Sequence, residues 1–228
     1  MILRLAALGA LALSLATVFA YLHVVGRGPF AAPAARHLRA MKERTAQPAA
    51  VAPLRFAHFG ALPHAAPLAA YAKLERQAVS LDGYVSGMIR SSDGDIHLEI
   101  TTTPRRPGGP EVVYVTGEVT PAFQRGGGWS YESLRQVFRP VTGGPPFDRA
   151  PARVRIAGWL LYDWQCDGRP ATDPVRELWN QIRPVHKRTR PARRAHSIWP
   201  RLTGWEIHPV TAIEVWDAGS GRFRRLAS

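Results

Sequence analysis

The stretch DGYVSGMIRSSDGDIHLEI, residues 82–100, decides the fold. Leu81, Gly83, Val85, Gly87 and Ile89 alternate with Asp82, Tyr84, Ser86 and Arg90, the period of two that sends successive side chains of a strand to opposite faces. Ser91-Ser92-Asp93-Gly94 is a turn, because Asp-Gly supplies the positive φ that a tight hairpin requires. A second strand comes next, with Ile96, Leu98 and Ile100 facing inward and Asp95, His97 and Glu99 facing the other way.

Outward from this hairpin the same rhythm recurs. EVVYVTGEVT at 111–120 predicts a third strand ending at Pro121, ARVRIAGWLLYD at 152–163 a fourth, and WEIHPVTAIEVW at 205–216 a fifth, which Pro209 must bend or bulge. SYESLRQVF at 130–138 interrupts the series with a Ser cap and apolar Leu134, Val137 and Phe138 at helical spacing. A short helix over 68–77 precedes the first strand. GGGW at 126–129 reads as a turn.

Three strands, a helix and two strands are the order of an OB-fold, and Gly83, Gly87 and Gly158 fall where a small barrel curves sharply. The expected class is all-β with one or two short helices: a small closed OB-like barrel preceded by an N-terminal hydrophobic helix. A β-sandwich is the alternative, since strand count alone separates the two poorly.

DGYVSGMIRSSDGDIHLEI, GWLLYD at 158–163 and WEIHPVTAIEV at 205–215 resemble a group of uncharacterised bacterial proteins that carry similar DxHxE and WEIHPVT segments. The resemblance spans about half of the mature domain and implies an OB-like domain with no assigned activity.

The N-terminus reads as an export element. Arg4 supplies a positive start, and Leu5–Val25 contains no Asp, Glu, Lys or Arg. Two outcomes stay open, a signal peptide cleaved after Ala20 or a single membrane anchor over residues 5–25. Either places the body outside the cytoplasm, in the periplasm or on the inner membrane. Residues 26–67, broken by six prolines, read as a Pro/Ala-rich linker, and 68–228 as the barrel domain with a basic loop inserted at 164–202.

The formal charge of +13 tracks this division. Residues 1–67 hold seven Lys or Arg against the single acid Glu43, and residues 183–201 hold seven against none. The rest is balanced, sixteen against sixteen, so basicity belongs to a tether and a loop. The tether's cations suit anionic lipid headgroups. Lys187, Arg188, Arg190, Arg193 and Arg194 suit a phosphate-bearing or other anionic ligand, with a solvated loop as the plain alternative. Nucleic acid is not the expected partner of an exported domain. The single cysteine, Cys166, closes no intramolecular disulfide and is expected to be a small, partly buried apolar residue.

Chemistry concentrates on two rows. Asp95, His97 and Glu99 stand about 6.8 Å apart along one strand, and Glu206 and His208 lie on another. Were the two strands neighbours, these five residues would offer a Zn or Mn site, with Glu118 or Asp163 as general base. The structural alternative is that carboxylates simply orient the histidines and pair across strands. Trp159 and Trp205 read as packing residues. No Gly-rich phosphate loop, GxSxG elbow or HExxH helix is present, so whether the chain is an enzyme stays open. The expected function is an exported, membrane-anchored OB-like binding module. The alternative is a metal-dependent hydrolase, phosphodiesterase- or nuclease-like, working on the His97/His208 face.

Overall fold

Burial alternates along β2 (Ala78–Arg90) as its sequence predicts, with Leu81, Gly83 and Val85 buried and Asp82 exposed. The rhythm then breaks. Pairing with β3 (Ile96–Thr101) shifts register between Val85 and Gly87, and the extra residue, Ser86, reverses the facing of the rest of the strand. Met88 is therefore fully buried, and Ile89, expected on the inward face, is only half-buried. The Ser86 hydroxyl closes the bulge by bonding Thr101 Oγ1 at 2.6 Å. At the hairpin, Gly94 has φ of 95°, and Ser91 N–H donates to Asp95 O.

The computed structural model describes residues 2–64, 67–104, 113–145, 147–167 and 201–226, with side chains from residue 9 onward. These residues form two compact units, one ending at Glu43 and the other starting at Arg44. The first contains α1 (Ile2–Val24) and α2 (Pro33–Lys42). The second opens with β1 (Ala52–Pro53), α3 (Phe56–Ala61), α4 (Leu68–Ala72) and a 3-10 turn at Leu74–Arg76, and continues into β2 and β3. It then runs through β4 (Tyr114–Val119), α5 (Pro121–Gly126), α6 (Tyr131–Phe138), β5 (Arg153–Tyr162), β6 (Arg201–Asp217) and β7 (Arg222–Arg225). Ser130 caps α6 reciprocally with Ser133.

All seven strands among the described residues belong to one mixed sheet, which removes the two-sheet sandwich for them. Five of them close a ring in the order β2, β3, β4, β6, β5, because β2 pairs with both β3 and β5. β4 and β6 run parallel, and the ring's other pairs are antiparallel. Val85, Leu98, Ile100, Val115, Ile156 and Ile207 are fully buried, each such side chain stabilising by about 1.5–3 kcal/mol.

Pro209 bends β6 as its position predicts. The β5–β6 register shifts on both sides of Gly158, and the His208–Pro209 peptide is cis. Gly158 fits there because a Cβ would lie 2.0 Å from the Pro209 carbonyl oxygen.

Much of the expected linker is structured. Residues 33–42 form α2, and residues 44–64 belong to the same unit as the sheet. Phe59 is fully buried, Trp159 Nε1 donates to Ala46 O at 2.8 Å and Trp205 Nε1 to Pro63 O at 2.8 Å. Both indoles are thus packing residues. Cys166 is exposed, contrary to its expected partial burial.

Among the described residues no helix is long and apolar enough to cross a membrane.

Candidate metal centre

Strand register builds the site. His97 lies opposite Glu118 across the β3–β4 pair, while β4 runs parallel to β6 with Thr116 opposite Glu206 and Gly117 opposite Ile207. The two histidine-bearing strands are therefore not neighbours. β4 separates them and contributes the residue that joins them.

Glu118 is that residue. His208 Nδ1–H donates to Glu118 Oε2 at 2.8 Å, and His97 Nε2 lies 3.1 Å from Glu118 Oε1. Asp95, at the end of the 91–94 turn, completes a group with Glu118 and His208 whose ligand atoms all lie within 4.8 Å of one another. Ligands at about 2.1 Å from one ion stand up to about 4.2 Å apart, so small side-chain shifts would close the group on an ion. All three residues are buried, His208 to 1% exposure.

The donor set selects the ion. One imidazole and two carboxylates suit Zn or Mn; Ca takes oxygen ligands alone, and thiolate-seeking ions lack sulfur here. In a neutral His208 whose Nδ1 proton points at Glu118, the lone pair sits on Nε2. Gathering carboxylates in a buried volume costs solvation, and a divalent cation offsets it.

The other expected site residues divide. His97 touches the far oxygen of Glu118 and keeps 26% side-chain exposure. Glu206 lies beside the group, 3.8 Å from His208 Nδ1, and Arg201 Nη2 engages its other oxygen at 2.5 Å. Glu99 stands apart, against Gly87, where a Cβ would come within 1.8 Å of its Oε2. Asp163 accepts from the backbone N–H of Gln165 at 2.9 Å and is not part of the three-residue group, so it gains no general-base placement. Lys187, Arg188, Arg190, Arg193 and Arg194, with most of the expected 164–202 loop, lie outside the described residues.

Arg201 enters the site without having been singled out in the sequence. Burial works against its charge, but the Glu206 carboxylate, then Cys166, Asp163 and Glu118, outweigh that, and the net effect is a pKa raised above the usual guanidinium value. Its side chain is 13% exposed, and its Nε donates to Thr203 O at 2.8 Å. A second polar cluster also escaped the sequence reading. His64 Nδ1 lies 3.0 Å from Asp167 Oδ2, which also accepts from Tyr162 OH at 2.7 Å. The only sequence signal for Arg201 was its place five residues before Glu206; His64 sits among prolines that suggest a tether.

Comparison with protein-family models, curated proteins and solved structures finds no match for this chain.

Proposed function

We propose that this chain is an exported, membrane-associated binding module in which a closed OB-like barrel holds one divalent cation, Zn or Mn, through Asp95, Glu118 and His208. Three features of the ring support the barrel reading: the closure of β2 onto β5, the parallel β4–β6 pair, and helices between β4 and β5. One observation carries the cation reading, the mutual approach of three buried ligand atoms within 4.8 Å. The mixed donor set favours a transition metal over an accidental acidic patch.

Burial separates binding from turnover. A catalytic zinc keeps an open position for water or substrate, whereas Asp95, Glu118, Glu206 and His208 are all below 8% exposure. A bound structural or stored cation fits that enclosure. The hydrolase alternative draws on one feature, the 26% exposure of the His97 side chain beside Glu118, which gives the group an imidazole at its solvent edge.

The test is elemental analysis of the purified full chain, with melting measured with and without chelator. One equivalent of metal and a lowered melting temperature in chelator support the proposal. A metal-free protein that melts identically in both, after incubation with Zn and with Mn, overturns it. Metal-dependent cleavage of a phosphodiester that is lost in His97→Ala replaces it with the hydrolase.

A further inference from the structure

The N-terminal unit turns a corner between α1 and α2, and the corner is built. Ala32 N–H donates to His23 O at 3.0 Å, and His23 Nδ1 lies 2.6 Å from Phe30 O. Gly26, at φ of 72°, sits so close to α2 that a Cβ would come within 2.3 Å of Ala35 O. Only glycine reaches both that conformation and that approach.

The described surface of this unit is apolar along α1 and cationic at the corner. Leu11, Leu13, Leu15 and Val18 are 57%, 70%, 50% and 54% exposed, so α1 is apolar on every side between Gly9 and Phe19. The helix's two aliphatic hydroxyls are spent internally, Ser14 on Ala10 O and Thr17 on Leu13 O, both at 2.9 Å, so these two donors are satisfied within the helix. Phe30 is 63% exposed and stands edge-on to Phe19 at 5.3 Å, an aromatic pair at the end of that apolar stretch. Arg27 and Arg36 are exposed just beyond it. The only acid in residues 1–43 is Glu43, and Arg39 pairs with it at 2.9 Å.

Apolar helix, aromatic pair and arginines in that order match the sequence of layers from acyl chain to headgroup in a bilayer. We infer that the α1–α2 corner is a membrane-interface element, seating Leu11, Leu15 and Val18 among acyl chains and holding Arg27 and Arg36 against anionic phospholipid headgroups. The occupant is lipid because the surface joins hydrocarbon-like area to a net positive edge. This inference rests on reading the N-terminal unit as membrane-attached, and it adds lipid selectivity and the residues that confer it.

The experiment floats the full chain, diluted from detergent, with vesicles of phosphatidylcholine alone or with one-third phosphatidylglycerol. The expected result is a preference for the anionic vesicles that falls by about fivefold for each of Arg27→Gln and Arg36→Gln, and with added salt. Leu15→Asp with Phe30→Asp is expected to release the chain from both kinds of vesicle. Equal flotation with neutral and anionic vesicles, unchanged in the arginine variants, overturns the headgroup assignment and leaves membrane attachment standing. A chain that stays at the bottom with both vesicles overturns attachment and this inference together. The cation proposal is untouched by either result, because Asp95, Glu118 and His208 belong to the other unit.

Discussion

Glu118 and His208 meet across two strands that run parallel, the imidazole Nδ1 2.8 Å from the carboxylate Oε2. Glu118 lies in GEVT, a stretch whose plain reading is a strand end, and its importance comes from β4 lying between β3 and β6. One carboxylate thereby serves two histidines, with one oxygen toward each.

Glu118→Gln keeps the size and removes the charge. Zinc affinity, measured by competition with a chelating dye, is expected to drop by about 100-fold or more. His97→Gln, acting on Glu118 from outside the three-residue group, should cost about tenfold, the scale of an outer-shell partner. Equal losses in the two variants would place His97 among the ligands.

Arg201 and Glu206 form a buried pair, and removing one member of such a pair costs more than removing both. Arg201→Met is expected to destabilise the chain by about 3–5 kcal/mol in urea unfolding. Arg201→Met with Glu206→Leu should recover most of that loss. A double variant as unstable as the single would show that the guanidinium acts mainly through Thr203 O and Gly204 O, which it also reaches.

Gly158→Ala forces a methyl against the Pro209 carbonyl oxygen and Ile207 Cγ2, at 2.0 and 2.8 Å. Backbone yields less readily than a side-chain tip, so a loss at or above the usual 1–3 kcal/mol of overpacking is expected. Gly126→Ala, where a Cβ meets nothing within 4 Å, is the control and should stay near neutral.

Tyr131 gives a pH dependence with a definite sign. Burial first, opposed by Arg135 and Arg90 and aided by Glu132 and Glu99, raises its hydroxyl above the ordinary 10.0. The folded chain therefore holds this proton more firmly than the unfolded chain. Its contribution is fully present below about pH 10 and is lost as pH climbs through the raised value. Tyr131→Phe should cost about 1 kcal/mol at neutral pH, through lost bonds to Gly143 O and Met88 O, and should flatten the alkaline decline. An alkaline limb identical in the variant would assign it to other groups.

The ring's strands were readable from residue alternation because half-buried strands print period two into sequence. The β2 strand shows where that fails: nothing in GYVSGMIR announces that Ser86 is skipped in pairing, so Ile89 and Met88 exchange faces. The site was readable as residue types and unreadable as a constellation. Asp95 and His208 emerge from their rows, but strand order is a long-range outcome of closure, and it placed Glu118 between the histidines and Glu99 beside Gly87. Segment 44–64 misled for a related reason. Its prolines exclude a long helix, yet indole N–H groups of Trp159 and Trp205 bind its carbonyls to the sheet.

Calorimetric titration of the full chain with Zn tests the central claim most directly, run in parallel on His208→Ala. The expected result is one saturable site per chain, with protons released on binding, and its loss in the variant. A site of equal affinity in both proteins, or no heat in either, would contradict a cation held by Asp95, Glu118 and His208.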